Sequence, residues 1–206
     1  MFNDNVISYV KNVYMFIDLF EKLHFVYIFI AALLFFAGIY FAPTIVEKKI
    51  NWLLVYPRWV TKIIEKYFSP RWGFILLFII ILLLNNLSLF SGFISGFVII
   101  LPFLFAFLTG LNVAIVGYDL LGWQGIWHLL VNPVAWLEFP AAWISFGMGI
   151  KISVKIIYTH RFLEAYQLLK QLFPIYLKYV LVLLVLAALL ESGLIIWAEK
   201  HKDDLE

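Results

Sequence analysis

Four polar residues of this chain stand inside long apolar runs, where a charged or amide side chain is costly. They are Asn85, Asn86, Glu138 and Glu191. An ionisable group at the centre of a bilayer costs a few kcal/mol on insertion scales, so such groups usually face the interior of the protein. Amides donate and accept hydrogen bonds, and carboxylates accept them. We therefore predict that these residues share one intramembrane polar cluster.

Two kinds of role fit such a cluster. The functional role is a site for an ion, a proton or a metal. The structural role is a hydrogen-bonded link between helices, which contributes about 0.6–2 kcal/mol per contact in membranes. The sequence favours the structural role and leaves the functional one open.

A zinc site is the metal alternative. His128, Glu138 and Glu191 offer the ligand types that zinc binds, but no HExxH or comparable spacing links them. We therefore expect no cofactor, with zinc kept as the alternative. No catalytic residues are predicted, because the chain has no cysteine nucleophile and no credible catalytic arrangement.

The composition places these residues in a membrane protein. The chain has 206 residues, of which 65% are hydrophobic and only 14% charged, against about 45–50% and about 25% in soluble domains. We predict an all-α fold, a polytopic transmembrane helix bundle that forms one membrane domain over residues 1–206, with a multi-pass location in the cell membrane. The net charge of +2 gives no support for nucleic acid as a partner; the lipid bilayer is the expected one.

The chain contains several apolar stretches that are about as long as a helix needs to be to cross a bilayer. The predicted spans are residues 25–41, 72–90, 93–116, 134–152 and 174–197. Residues 1–22 alternate charged and apolar positions and are predicted to form an interfacial amphipathic helix. Residues 47–71 and 153–173 are predicted to be basic amphipathic segments on the membrane surface.

The number of spans has one alternative. The stretch Gly117–Pro133 is less apolar, and we expect either a loop or a short segment that enters the membrane and turns back. Five spans place the two basic segments on opposite faces, whereas six would place both on the cytoplasmic face, as the positive-inside rule favours. Five spans are the prediction, and a sixth is the alternative.

Small residues at four-residue spacing mark helix contact surfaces. Gly92 with Gly96, Ala141 with Ser145, and the pair Gly147 and Gly149 form such faces. We predict that one face packs inside the protomer and that a remaining face builds a two-fold homodimer, the commonest closed symmetry. The alternative is a monomer in which every small face packs internally.

Four segments in order resemble the stage II sporulation protein M family of membrane proteins. They are LNNLSLFSG, GLNVAIVG, NPVAWLEFPAAWISFGMG and LAALLESG, and they span Trp72 to Trp197. The resemblance implies a five-helix membrane protein and adds Asn112 to the polar cluster. The chain departs from the family pattern where Val134 and Ala135 follow Pro133 in place of His-Gly, and where Val113 follows Asn112 in place of glycine. His128 is the nearby residue that could replace the missing histidine in space.

The resemblance implies a membrane complex that acts with cell-wall-degrading enzymes in spore formers. We accordingly expect a non-enzymatic scaffold or complex component, with other membrane or envelope proteins as further partners. A transporter or channel for ions or small solutes, using the intramembrane Glu and Asn side chains, is the first alternative. An intramembrane metal-dependent hydrolase is the second.

Overall fold

The structure, a computed structural model, describes residues 23–67 and 72–201, and this part of the chain is built from helices. The elements are α1 (Phe25–Glu47), α2 (Asn51–Tyr67), α3 (Phe74–Ile94), a 3₁₀ turn (Ser95–Phe97), α4 (Leu101–Leu121), α5 (Trp123–Val131), α6 (Ala135–Thr159), α7 (Phe162–Ile175), a π-helical turn (Tyr176–Val180) and α8 (Leu181–Lys200). The predicted interfacial helix of residues 1–22 lies outside the described residues.

Within residues 23–67 and 72–201, five helices are long and apolar enough to cross a membrane, which confirms the all-α class and the five predicted spans. They are α1, α3 with its 3₁₀ turn, α4, α6, and the continuous helix formed by α7, the π-helical turn and α8. Because successive spans reverse direction, α2 and α7 lie at opposite ends of the bundle. We refer to these as the α2 end and the α7 end.

The third span starts later than predicted. It begins at Leu101 rather than at residue 93, because the backbone of Val98 is extended and ends the preceding 3₁₀ turn. Pro102 then occupies the first turn of α4, where its missing N–H needs no partner. The predicted basic segment 153–173 is divided between the last turns of α6 and most of α7. The chain changes direction between these two helices at His160, which is in the left-handed conformation.

Helix α6 is the centre of the bundle. In its most apolar stretch 67% of the residues are buried, against 17–33% in the other four spans. Two serine hydroxyls join it to α3 and to the 3₁₀ turn that follows. Ser145 donates to the carbonyl of Leu89 at 2.7 Å and Ser153 to that of Gly96 at 2.9 Å. A helix buried on most sides needs small and apolar residues around its whole circumference, and α6 has them.

The small-residue faces pack inside the protomer. A Cβ on Gly96 would meet the carbonyl oxygen of Gly149, and one on Gly92 would meet the ring of Phe146. A Cβ on Gly147 would lie 3.0 Å from the backbone nitrogen of Ile28. Ala141 and Ser145 are fully buried as well. The prediction that one of these faces is left over for a dimer is wrong, because α6 uses them all for its own contacts.

The predicted surface helix is α2, whose exposed face includes Trp52, Arg58 and Lys62. It is tied to the end of α4 by Arg58, which donates two hydrogen bonds to Asp119, at 2.7 and 2.9 Å. This pairing raises the pKa of the Arg58 guanidinium, so the charge is retained. Beside it, the hydroxyl of Tyr118 donates to Glu47 at 2.6 Å.

Candidate functional site

The predicted polar cluster centres on a hydrogen bond between α3 and α6. Asn85 donates from Nδ2 to Oε1 of Glu138 at 2.5 Å, and both side chains are partly buried. The third member, Glu191, lies on α8, which packs against both α3 and α6. The structure thus joins two of the predicted residues, Asn85 and Glu138, directly across two spans.

The contacts around Glu138 place it near the middle of the membrane. Asn85 is at the midpoint of the second span, Phe74–Phe97. The next residue on α6, Phe139, packs on Phe35 near the midpoint of α1, with ring centroids 4.8 Å apart. A Cβ on Gly110, near the midpoint of α4, would in turn meet the carbonyl of Phe35. The contacts on three spans therefore agree in placing Glu138 near the middle of the membrane.

The helix that carries Glu138 begins only one turn earlier, after a break. Helix α5 folds back on α4, and Gly117 and Gly125 bring their backbones so close that a Cβ on either would meet the other's carbonyl oxygen. Ile126 of α5 packs in the same apolar cluster as Leu111 and Ile115 of α4. The stretch Gly117–Pro133 therefore consists of the last turn of α4 and the short helix α5, which turns back along α4, as in the second of the two predicted alternatives.

Backbone N–H and C=O groups of the turn between α5 and α6 find hydrogen-bond partners within the turn itself. Asn132 accepts a hydrogen bond at Oδ1 from the N–H of Val134 at 2.9 Å, and its carbonyl accepts from Trp136. The carbonyl of Val134 accepts from the N–H groups of Leu137 and Glu138. Irregular backbone inside a membrane needs such internal partners, because lipid offers none. Glu138 in the first turn of α6 also lies at the positive end of that helix dipole.

Asn86 belongs to a second polar pair. It accepts a hydrogen bond at Oδ1 from the hydroxyl of Tyr176 at 2.9 Å. Tyr176 is almost fully buried and stacks on Phe93, with ring centroids 5.5 Å apart. Tyr176 begins the π-helical turn in the last span, a local widening that often accompanies functional or irregular sites. Tyr176 is not among the predicted site residues; its one signal in the sequence is a phenol at the start of an apolar run.

Asn112, a predicted member of the cluster, and His128, a predicted possible metal ligand, lie apart from the Asn85–Glu138 pair. Asn112 is half-buried on α4 and makes no hydrogen bond with Asn85, Asn86, Glu138 or Glu191. His128 lies exposed on α5. Among the described residues no group of three or more His, Cys, Asp or Glu side chains is placed to hold a metal ion, so His128, Glu138 and Glu191 do not meet as a ligand set.

Two cavities lie away from this cluster, at opposite ends of the bundle. One, of about 540 Å³, is lined by residues of α6, α7 and the start of α1 at the α7 end. The other, of about 260 Å³, lies beside Arg58 and Asp119 at the α2 end. Neither is lined by a residue of the polar cluster.

Comparison with models of protein families, with curated proteins and with solved structures finds no match for this chain. The resemblance to the stage II sporulation protein M family stays a prediction.

Proposed function

We propose that the protein is a non-enzymatic component of a multi-protein assembly in the cell membrane, and that its intramembrane polar cluster holds the spans in register. The observation that carries this proposal is that the polar side chains bind one another. Asn85 is paired with Glu138, and Asn86 with Tyr176. Polar groups that are satisfied between helices stabilise a bundle, and neither end cavity reaches them.

The surface left for partners is the lipid-facing one. The small-residue faces are consumed internally, so a homodimer, which stays part of the proposal, would use another surface. Ser88 offers one place to look, because it is an exposed hydroxyl on α3 one turn beyond Asn85. A second copy covering Ser88 would shield this hydroxyl from lipid.

Transport is the function that the test must separate from assembly. The purified full chain is reconstituted in liposomes, and the flux of protons, Na⁺ and K⁺ is followed with indicator dyes across imposed gradients. The proposal predicts no flux above that of protein-free liposomes. A flux that falls when Glu138→Gln is introduced would contradict the proposal, because this variant keeps the shape and the hydrogen-bond acceptor but removes the charge.

Assembly itself is tested by cross-linking in native membranes. The chain has no cysteine, so a single Ser88→Cys substitution gives one defined attachment point. A matched control is Leu33→Cys, which is exposed on α1. A cross-linked species of defined mass from Ser88→Cys but not from Leu33→Cys supports an ordered assembly through α3. Equal labelling with random partners from both positions would contradict it.

The second candidate function is cation- or proton-linked transport. The observation that favours it is the helix break: Glu138 lies near the middle of the membrane, one turn after the α5–α6 turn. Helix α8, which carries a second carboxylate, Glu191, packs against the same helix. Transporters commonly build their ion sites at the midplane from such interrupted helices. For this candidate, Glu138→Gln and Glu191→Gln should each reduce a measured flux while leaving the melting temperature nearly unchanged.

A further inference from the structure

Helices α5 and α6 together make one interrupted span. Helix α5 begins after Gly122, at the α2 end of the bundle, and has 9 residues. At 1.5 Å per residue it rises about 14 Å, which is close to half of a hydrocarbon core of about 30 Å. Helix α6 then continues toward the α7 end, with Glu138 in its first turn. The turn between the two helices therefore lies near the middle of the bilayer.

This turn is on the outside of the protomer. Val131, Asn132 and Pro133 are all exposed, and the exposed fraction is 65% for Val131 and 70% for Trp136 beside it. Non-helical backbone at membrane depth is tolerated only where protein covers it or where it lines a water-filled cavity. The large apolar side chains around the turn are costly to expose to water, so they favour a cover made of protein.

The turn presents hydrogen-bonding groups that the protomer does not use. Within the described part of the chain, the carbonyls of Leu129 and Val131 accept no hydrogen bond. The backbone N–H of Asn132 donates none, and its side-chain amide is bound only through Oδ1, which accepts from Val134. Each protomer thus offers two acceptors and the donors of one asparagine at the same exposed place.

The outer face of α5 carries further polar side chains toward the α2 end. Gln124 and His128 precede Asn132 at four-residue spacing, and all three are exposed. Residues four apart are neighbours on one side of a helix, so the three form a stripe. Trp123 and Trp127 flank this stripe and are exposed as well. An amide and a neutral imidazole each have both a donor and an acceptor, so each of them can bind its own counterpart in a second protomer.

A two-fold axis along the membrane normal brings these groups together. Around such an axis the same surface of both subunits is used, and residues close to the axis meet their own counterparts. The Asn132 donors of each protomer can then reach the unused carbonyls of the other, and the two polar stripes lie side by side. A second copy of the chain therefore supplies every complementary group that the exposed turn needs.

We propose that the outer face of α5 and the α5–α6 turn form a two-fold interface with a second copy of this chain. The proposal rests on the homodimer named in the proposed function and gives that homodimer a surface. Residues 1–22 are a less suitable cover, because they join the described part of the chain at Leu23, at the α7 end and thus on the opposite side of the bilayer from α5.

The first test is cross-linking of the full chain in native membranes. Because the chain has no cysteine, Val131→Cys gives one attachment point beside the proposed axis, and a short bismaleimide joins two copies only where their thiols lie close together. We expect a cross-linked species of twice the chain mass that contains this chain alone by mass spectrometry. Val182→Cys, the same change at an exposed position of the last span, should give no such species.

The second test measures what the turn contributes to the dimer. Asn132→Ser keeps an oxygen that can accept from the N–H of Val134 but removes the amide donors. Loss of two polar contacts of average size for membrane helices, one per protomer, should weaken the dimer about eightfold, measured by energy transfer between labelled copies on dilution in liposomes. Asn112→Ser on α4 is the matched control and should leave dissociation unchanged. Circular dichroism and gel filtration check the folding of both variants.

The proposal has outcomes that overturn it separately from the proposed function. A homodimer captured through Ser88→Cys but not through Val131→Cys would leave the assembly role standing and overturn this interface. Capture of a different protein by Val131→Cys would do the same, because another partner would then cover the turn. Reaction of Val131→Cys with a membrane-impermeant thiol reagent, with no dimer formed, would show that water covers it. Equal dissociation of Asn132→Ser and Asn112→Ser would rule out the exchange of hydrogen bonds at the turn.

Discussion

The bond between Asn85 and Glu138 gives the sharpest test of how the polar cluster works. Replacing Glu138 with Leu removes the acceptor and leaves the Asn85 amide without its partner in the middle of the bundle. Leaving a buried donor unpaired costs about 1–3 kcal/mol, and measured polar contacts in membrane bundles reach about 1.7 kcal/mol. We therefore expect Glu138→Leu to lower the free energy of unfolding by about 1–2 kcal/mol.

The full experiment is a double-mutant cycle in mixed micelles with reversible denaturant unfolding. Asn85→Leu, Glu138→Leu and the double variant are compared with the natural chain. Because replacing both partners by apolar groups removes the unpaired donor, the double variant should be less destabilised than the sum of the two single variants. Glu138→Gln keeps an acceptor for Asn85 and should stay within about 0.5 kcal/mol of the natural chain. Leu83→Ala, at an exposed position of α3, is the control, with no expected loss.

The reasoning is refuted if the cycle shows strict additivity. In that case the 2.5 Å contact would contribute no coupling, and the polar cluster would not join the two helices. A large loss in Glu138→Gln, equal to that in Glu138→Leu, would also refute it, since the charge and not the hydrogen bond would then be the stabilising feature.

Three further predictions test the rest of the bundle. Gly96→Ala should lower the stability of the protein by about 1–3 kcal/mol, because its Cβ would meet the Gly149 carbonyl. Gly193→Ala, with open space around the new Cβ, should be neutral in the same melting assay. Similar melting temperatures for both variants would contradict the packing. Arg58→Gln should lower the stability by no more than about 1 kcal/mol, because the pair with Asp119 is partly exposed to water. The difference in stability from the natural chain should shrink in high salt. A larger loss of stability that does not depend on salt would contradict this prediction. A Lys62→Cys variant should resist a membrane-impermeant thiol reagent in intact cells and react after permeabilisation, since the basic α2 is expected on the cytoplasmic face; labelling from outside would reverse the orientation.

The number and class of the spans could be predicted from the sequence because hydrophobic length is a strong local signal. The same signal places helix ends poorly when an apolar run continues through a turn. Residues 93–100 are as apolar as the helices beside them, yet Ser95–Phe97 form a 3₁₀ turn before α4 starts at Leu101. The hydropathy of these residues contains no information about that turn.

The polar cluster shows the same division between local and tertiary information. The cost of burying Asn85 and Glu138 predicts that they meet, and they do. The partner of Asn86 could not be predicted, because Tyr176 is brought to it by the packing of the last span on α3. The small residues were likewise recognisable as contact surfaces, but which helix each one contacts depends on α6 being central, and composition does not reveal that position.

The central position of α6 also determines how Glu138 has to be studied. This helix carries the mid-membrane carboxylate, the serine hydroxyls that bind carbonyls of α3 and of the 3₁₀ turn, and glycines packed against α1, α3 and α4. A bulky or apolar change on α6 therefore disturbs packing, whatever the carboxylate does. Only a substitution of the same shape, Glu138→Gln, separates the charge from the hydrogen bond. If the charge serves transport, this variant loses flux at unchanged stability; if the carboxylate only links helices, the variant changes neither.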